Sequence, residues 1–257
     1  MKDNMKPTFF AVIIGSEILD GRRNDKHFEF LKRELKSRGW SLSGVYIIED
    51  DIDLMKQTYL QIKKIPNSVL FSFGGIGATP DDYTREVSST IFTDGEMEFN
   101  QEFKDRIVKR FGIQGSIHRV NMSNLPKSAK LLYDNPINKM SGYYLEDRFF
   151  FVPGFPEMSH PMIREALNRF FPENSEEIFS YSVIVDTSEN LLIDWMEKLS
   201  KNITLSSLPK LDTDKNGKIK PSVNIQIKST DKIELENEIK KLQNILKELK
   251  VNYKNLI

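Results

Sequence analysis

The sequence predicts a three-layer α/β protein: a mostly parallel (mixed) sheet with helices on both faces, followed by a small ferredoxin-like βαββα domain. Three observations predict this fold. Apolar runs without period-2 alternation, typical of strands covered on both faces, occupy residues 8–14, 45–48 and 69–73. A segment with helical periodicity follows each of the first two runs, as crossovers between parallel strands require. Beyond residue 172 a strand with one polar face indicates a different kind of sheet.

The composition excludes several classes of function. The chain has 257 residues with 37 basic and 37 acidic side chains, so its formal net charge is zero. That balance gives no general reason to expect nucleic acid or an anionic membrane as a partner. The chain has no cysteine, which excludes disulfides, thiolate metal sites and a cysteine nucleophile. It shows neither a secretory h-region nor an apolar run near the ~20 residues that span a bilayer. We therefore expect a cytoplasmic protein.

The first strand ends in a loop that two glycines bracket, Gly15-Ser16-Glu17-Ile18-Leu19-Asp20-Gly21. The loop holds a carboxylate at the carboxyl end of the strand. Asn24 or Asp25 is expected to start the next helix, since both residue types favour the N-cap. This helix should place three apolar side chains on one face: Phe28, Leu31 and Leu35.

The second strand, predicted over residues 45–48 and buried, ends in Glu49-Asp50-Asp51. Asp51 or Asp53 can cap the helix that follows. The core face of that helix should carry Met55, Tyr59 and Ile62. A second acidic loop therefore stands at the carboxyl end of a strand.

The third strand runs into a glycine-rich turn, Gly74-Gly75-Ile76-Gly77. Glycine accepts positive φ and lets a ligand approach the main chain, so the turn exposes several N–H groups. Thr79 is expected as the N-cap of the next helix, with Pro80 at its first position. The structural alternative is that Thr79-x-x-Asp82 is only a capping box that closes a helix end.

Strand, acidic loop and helix thus occur three times in succession. Parallel strands joined by right-handed crossovers bring such loops to one edge of the sheet. Glu17, Asp50 and Asp82 should therefore converge beside the exposed N–H groups. Carboxylates next to a glycine turn indicate a site for a phosphate-bearing ligand with a divalent metal.

The middle of the first domain is predicted more coarsely. Residues 99–111 read as a charged amphipathic helix and residues 121–130 as a polar loop. A hairpin is expected over residues 142–152, turning at Glu146-Asp147. The rigid turn Pro153-Gly154-Phe155-Pro156 follows, and then a helix over residues 159–170.

We place the domain boundary at residues 172/173, giving an α/β domain over 1–172 and a small α+β domain over 173–257. The second domain should contain strands near residues 182–186, 203–208 and 223–227. Its first helix should bury Leu191, Trp195 and Leu199. Its last helix is expected to begin at Asp231 and to carry a leucine-rich core stripe. No catalytic constellation is predicted there.

With these motifs in hand, residues 8–160 resemble the molybdopterin-binding domain of the CinA family (competence/damage-inducible protein A), also found at the front of eukaryotic FAD synthases. The loop at 15–21 resembles that family's Gly-[Thr/Asp]-Glu-[Leu/Ile]-Leu-x-Gly. The segment 74–84 resembles Gly-Gly-[Leu/Ile]-Gly-Pro-Thr-x-Asp-Asp-x-Thr, with Ala78 in place of the usual Pro. Residues 152–156 resemble its Leu-Pro-Gly-x-Pro turn. At position 27, His27 replaces an Asn that is common in bacterial members.

The resemblance implies a metal-dependent hydrolase of a nucleotide diphosphate, an ADP-ribose- or FAD-like pyrophosphatase. Glu17 and Asp82 are expected to hold Mg²⁺, Mn²⁺ or Co²⁺, with Asp50 as a third catalytic acid. The expected substrate-binding residues are Gly15, Ser16, Asp25, Gly74, Gly75, Gly77, Thr79, Thr84, Pro153 and Gly154.

Two other functions remain open. The resemblance also fits a molybdopterin-binding protein or a molybdopterin adenylyltransferase of molybdenum cofactor biosynthesis. A non-catalytic, ligand-binding relative is the third possibility. In each case the partner is a small nucleotide or pterin, and the resemblance favours a homo-oligomer, most simply a dimer.

Overall fold

A computed structural model describes residues 6–133, 135–174, 176–213, 217 and 219–256. The chain divides into two compact units, Met1–Asn174 and Ser175–Ile257. The sequence-based boundary at residue 172 lies close to this division. In the described part of the chain, no helix combines the length and the apolar character that crossing a bilayer demands.

The first unit is built on a six-stranded mixed sheet in the order β2-β1-β3-β8-β7-β6. The first four strands in this order pair in parallel, and β7 pairs antiparallel with both of its neighbours, β8 and β6. Its elements are β1 Thr8–Ile14, α1 Ser16–Leu19, α2 His27–Lys36, β2 Leu42–Ile48, α3 Ile52–Lys63, β3 Ser68–Phe73, α4 Thr84–Phe92, β4 Met97–Phe99, α5 Gln101–Ser116, β5 Asn124–Pro126, β6 Lys130–Leu132, β7 Gly142–Leu145, β8 Phe149–Val152 and α6 Pro156–Phe170.

The central strands are buried on both faces, which confirms the three-layer prediction. Alternate residues of β1 enter two separate cores because successive side chains point to opposite faces of a sheet. Phe9 and Ile13 join the core that α2 and α6 cover, whereas Phe10 and Val12 join the core that α3 covers. The sheet therefore has helices on each side, and the carboxyl ends of β1, β3 and β8 lie along one edge.

Two predictions about burial are wrong. Strand β2 was expected to be buried, but it lies at the edge of the sheet and only Ile48 is buried. A strand with one neighbour in the sheet keeps part of its surface in contact with solvent. Phe28 was expected on the core face of α2 but is 37% exposed, whereas Phe30 is buried with Leu31 and Leu35.

The helix predicted to begin at Thr79 begins instead at Thr84. Residues 79–82 form a turn in which the Asp82 carboxylate accepts the Thr79 N–H at 2.8 Å. The N–H of Thr84 donates to the carbonyl of Gly75 at 2.9 Å. The chain therefore folds back on the glycine loop before the helix starts, and Pro80 lies outside the helix.

The hairpin at residues 142–152 is present, with Glu146 and Asp147 in left-handed conformations at φ 52° and 57°. The predicted helix at 99–111 runs from Gln101 to Ser116, with a break at Gly112 (φ 71°). Part of the predicted polar loop forms β5, which pairs with β4 in a separate two-stranded ladder.

The second unit has a four-stranded antiparallel sheet in the order β10-β11-β9-β12. Its elements are β9 Phe179–Val185, a 3₁₀ turn Glu189–Leu192, α7 Ile193–Met196, β10 Thr204–Thr213, β11 Ile219–Ser229, α8 Lys232–Glu248 and β12 Tyr253–Leu256. The predicted βαββα order is found, extended by β12. That strand was missed because it is short and mostly polar. Leu191, expected in the core, is 55% exposed, while Trp195 is buried.

Candidate functional site

Three loops from different parts of the chain meet at Gly74. Its N–H donates to the carbonyl of Val152 at 2.9 Å. Its φ is 105°, and a Cβ added there would lie 2.5 Å from the carbonyl oxygen of Ile14. A Cβ added at Gly154 would lie 3.4 Å from the Cα of Gly74. The carboxyl ends of β1, β3 and β8 therefore touch through main-chain atoms, and only glycine fits this crossing.

Thr84 holds the glycine loop from behind. Its hydroxyl donates to the carbonyl of Gly74 at 2.9 Å, and the side chain is fully buried. Gly75 has φ 67°, and a side chain there would overlap the Thr84 hydroxyl. Thr84 was expected to contact the ligand, but its position makes it an anchor of the loop.

Arg85, which sequence reasoning missed, fixes the next part of the loop. Its Nη1 donates to the carbonyls of Ile76, at 2.7 Å, and Gly77. The side chain is only 6% exposed, and its Nε has no hydrogen-bond partner. No ion pair joins it to a carboxylate of the described chain, so a positive charge is buried directly behind the loop. A single arginine within a helix gives no sequence signal for such a role.

Within the described residues, the N–H groups of Gly75, Ile76, Gly77 and Ala78 have no hydrogen-bond partner in the protein. In a trans peptide the N–H points away from the carbonyl. Since Arg85 draws the carbonyls of Ile76 and Gly77 toward itself, the N–H groups of Gly77 and Ala78 point to the other side. Consecutive main-chain N–H groups of this kind form an anion-binding concavity.

Asp82 lies against this loop. Its carboxylate accepts the hydroxyl and the N–H of Thr79, and a Cβ on Gly77 would lie 2.5 Å from its Oδ2. A negative charge so close to an anion-binding loop opposes a phosphate unless a cation accompanies it. The neighbouring Asp81 is exposed.

Ser16 and Asp50 form a second pair. The N–H and hydroxyl of Ser16 both donate to Asp50 Oδ2, each at 3.0 Å. The N–H of Gly15 donates to the carbonyl of Ile48 at 3.0 Å. These contacts join the carboxyl ends of β1 and β2, as the parallel topology predicted.

Glu17 is directed toward Arg23, with 3.6 Å between its Oε1 and the Nη1 of the arginine. The same guanidinium lies 4.8 Å above the ring of Phe155. Arg23 thus links the loop after β1 to the half-buried turn at Pro153, and no sequence pattern had singled it out. Asp25 accepts the N–H groups of His27 and Phe28, at 2.8 and 3.0 Å, and so caps α2.

Glu17 and Asp82 are the two carboxylates that were expected to hold a divalent metal. Within the described ranges, no group of three His, Asp or Glu side chains is arranged to hold a metal ion. Glu17 and Asp82 each offer a carboxylate, so a metal would take its other ligands from phosphate and water. Mg²⁺ is commonly bound in that way, by one or two carboxylates together with substrate phosphates. Within the described residues these donors do not form a protein-only cage, and Glu17 and Asp82 contact Arg23 and Thr79 respectively.

A cleft of about 780 Å³ adjoins the loop on the side of Thr79 and Asp82. Pockets that hold drug-sized ligands have volumes of about 300–1,000 Å³. Arg85 also lines this cleft, and the other walls include residues that sequence reasoning did not select: Tyr83, Glu86, Phe99, His118, Val120, Asn121 and Asn124.

Fold and loop together define a class: an α/β domain with a glycine-rich loop of unpartnered main-chain N–H groups at the carboxyl edge of its parallel strands. A family model described as "Probable molybdopterin binding domain" matches residues 10–173. The chain belongs to this family.

The chain is also similar to named proteins. A CinA-like protein of Sulfurihydrogenibium sp. is 26% identical over 251 residues, which cover 90% of this chain and 62% of that protein. A probable FAD synthase of Caenorhabditis briggsae is 24% identical over 270 residues, covering 91% and 49% respectively. The chain therefore spans less than two thirds of these relatives. The solved structure of the protein CinA from Thermoplasma acidophilum, at 22% identity, has a TM-score of 0.55 and covers 63% of this chain and 97% of that one. It confirms the shared fold.

Proposed function

We propose that the first unit binds a phosphate-bearing pterin of the molybdopterin kind. The observation that carries this proposal is the row of unpartnered N–H groups at Gly75–Ala78 with the buried charge of Arg85 behind it. The phosphate would accept from these N–H groups, and the guanidinium would stabilise its charge in a poorly solvated environment. Family membership supports a pterin as the rest of the ligand.

Calorimetric titration of the full chain with molybdopterin, and with inorganic pyrophosphate as a probe of the phosphate site, tests this proposal. We expect saturable binding of both. Replacing Arg85 with Met should weaken binding of both compounds about tenfold or more, because it removes the buried positive charge and the hydrogen bonds that orient the carbonyls of Ile76 and Gly77, and hydrogen bonds to charged groups contribute about 1.5–3 kcal/mol. Arg85→Lys keeps the positive charge, and it therefore separates the effect of the charge from that of the guanidinium hydrogen bonds to the carbonyls of Ile76 and Gly77. An equivalent change at the exposed Arg22 is the control. No binding of either compound to the folded wild-type protein would overturn the proposal.

A second candidate is metal-dependent hydrolysis of an ADP-ribose- or FAD-like dinucleotide. The position of Asp82 against the glycine loop favours it, because its carboxylate would repel a bound phosphate unless a cation offset the two negative charges. Glu17 and Asp82 would hold the ion, which when bound neutralises charge on phosphoryl oxygens and lowers the pKa of a bound water. Asp50 keeps one carboxylate oxygen free of the Ser16 bonds to orient that water or accept its proton.

Product analysis separates the candidates. Purified protein is incubated with ADP-ribose, with FAD, and with molybdopterin plus ATP, each with Mg²⁺, Mn²⁺ or Co²⁺. Hydrolysis of either dinucleotide would establish the second candidate, and transfer of an adenylyl group would indicate an adenylyltransferase. Binding without turnover in every arm would identify a ligand-binding protein.

The homo-oligomer expected from the family resemblance extends the proposal to assembly. We expect a dimer. Light scattering that gives a mass near that of one 29.9 kDa chain would contradict it.

A further inference from the structure

His27 lies at the start of α2 and connects two of the three loops that meet at Gly74. Its Nε2 is 3.2 Å from the carbonyl oxygen of Gly154, and only 3% of the residue is exposed. Its ring stacks on Phe73, the residue directly before Gly74, with 4.3 Å between ring centroids. A carbonyl can only accept, so Nε2 carries the proton and donates it.

The carbonyl that accepts the His27 hydrogen bond belongs to Gly154, and this residue borders the glycine loop. A side chain on Gly154 would contact the Cα of Gly74 at 3.4 Å, so these two backbones are in close approach. Gly154 also stands between two prolines, which leaves its segment few other conformations. Whatever fixes the carbonyl of Gly154 therefore fixes the distance between this turn and the glycine loop.

His27 is itself held on several sides. The carboxylate of Asp25 accepts its main-chain N–H at 2.8 Å. The ring of His160 meets it edge-on, with 5.3 Å between centroids, and His160 stacks on Phe30 at 3.6 Å. Burial lowers the pKa of His27, which keeps the imidazole neutral near pH 7 and leaves Nε2–H as its donor.

We infer that His27 is a positioning residue: through its hydrogen bond to Gly154 it holds the turn at residues 153–156 in place beside Gly74, the first residue of the glycine loop. This inference rests on the proposed phosphate-bearing ligand, because the position of the turn matters for binding only if an anion occupies the loop. His27 does not itself touch the ligand. Its effect passes through the main chain of Gly154 to Gly74.

The test compares two replacements of similar size. In His27→Gln the side-chain amide can still reach the Gly154 carbonyl, whereas His27→Leu fills the space without a donor. We expect His27→Leu to weaken binding of inorganic pyrophosphate and molybdopterin by about fivefold to tenfold, the effect of one hydrogen bond. His27→Gln should restore most of the loss. Leu35→Ala, a core change two turns further along α2 that leaves the His27–Gly154 bond in place, should leave affinity unchanged even if it lowers stability. Equal losses of affinity for His27→Gln and His27→Leu would overturn the inference.

A second readout does not depend on any ligand. The N–H groups of Gly74 and Met158 donate to the carbonyls of Val152 and Phe155, on either side of Gly154. Amide hydrogen exchange of Gly74 and Met158 should quicken in His27→Leu and return toward the wild-type rate in His27→Gln. If the proposed function fails, so that wild-type protein binds no phosphate compound, this exchange still decides the role of His27. Unchanged exchange at both amides would refute it. Should His27→Leu not fold, His27→Asn, which is too short to reach the carbonyl, takes its place against His27→Gln.

Discussion

The carboxylate of Asp50 accepts two hydrogen bonds from Ser16, one from the main-chain N–H and one from the hydroxyl, each 3.0 Å long. The hydroxyl of Ser16 in turn accepts the N–H of Asp50 at 3.3 Å. The two residues are 34 positions apart and end adjacent strands. Their bonds tie the edge strand β2 to β1 at the point where the loops of the site begin.

This pair should show strong energetic coupling. Ser16→Ala and Asp50→Ala should each lower the free energy of unfolding by about 1–3 kcal/mol, because each leaves half-buried polar groups without partners. The double variant should cost less than the sum, with a coupling of about 1 kcal/mol. Urea denaturation of the four proteins measures it. Simple additivity would show that the bonds contribute nothing to stability, and Asp50 would then be better explained by catalysis alone.

The conformational demand at Gly75 can be separated from the crowding around it. Gly75 and Gly95 both have positive φ, at 67° and 81°, but a Cβ on Gly95 meets nothing within 4 Å. Gly95→Ala should therefore cost about 1–2 kcal/mol, the price of a left-handed alanine. Gly75→Ala carries that strain and also displaces the buried Thr84 hydroxyl, which adds about 1–3 kcal/mol. Thermal unfolding measures the loss of stability in each variant. Equal losses would mean that the Thr84 side chain moves aside without a loss of free energy.

Asp82 and Asp81 should respond differently to the same change. Asp82→Asn still accepts the N–H of Thr79, so the free energy of unfolding should fall by about 1 kcal/mol or less. If Asp82 holds a metal beside a diphosphate, hydrolysis should fall about 100-fold or more. Asp81→Asn alters an exposed side chain and should leave turnover nearly unchanged. Mild and equal effects on turnover in parallel assays would show that the acidic pair is structural.

Acidification should destabilise the first unit before most carboxylates titrate. Burial, together with the neighbouring His27, lowers the pKa of His160 from 6.5 to about 4. Between these values the unfolded chain binds a proton that the folded chain does not, so stability falls as the pH decreases through this window. We expect a loss of about 1 kcal/mol between pH 7 and 5, less than the full shift implies because solvent reaches part of the ring. Urea titrations of wild-type and His160→Gln should show a shallower pH slope in the variant.

The two tryptophans make the units separately visible. Trp40 belongs to the first unit, where its Nε1 donates to the carbonyl of Pro172 at 3.0 Å, and Trp195 is buried in the second. A fragment of residues 1–174 should unfold cooperatively. Its change in Trp40 fluorescence on unfolding should match that of the full-length variant Trp195→Phe, in which Trp40 is the remaining tryptophan. A fragment of residues 1–171, which keeps the core contacts of Phe171, should be less stable by about 1–3 kcal/mol, because the indole loses its acceptor and the bonds of Asn174 to Arg38 and Gly39 are lost. Aggregation of the longer fragment would show that the first unit depends on residues 175–257.

Much of the fold could be predicted because its signals are local. Unbroken apolar runs identified the central strands, and the paired positive-φ residues at 146 and 147 closed the expected hairpin. The errors arose where long-range contacts, and not the local sequence, determine the burial or pairing of a strand. Nothing within residues 42–48 says that the strand has one neighbour in this chain, and the short polar strand at 253–256 gains its bonds only from β9.

The site was predictable as a place more than as a set of contacts. Glycines and acids at strand ends predicted that loops meet at the carboxyl edge of the sheet, and Ser16 and Asp50 do meet there. The helix start was placed at Thr79 because a Thr-Pro-Asp pattern fits an N-cap, yet the chain first turns back so that Thr84 can bind Gly74. Arg85 was not selected, and His27 was noted only as the replacement of an Asn, because their contacts are with carbonyl groups that only the fold brings near.

The loop at 74–78 has a further consequence for how this kind of domain can diversify. The groups that we propose to bind phosphate are amides, which every residue except proline carries, so their chemistry would survive most changes of side chain as long as the backbone path is kept. On that proposal, selectivity for the rest of the ligand would come from the residues that line the adjoining cleft, such as Phe99, Asn121 and Asn124. Phosphate binding and ligand selection would then depend on different residues, and replacing cleft residues could change the ligand without altering the loop.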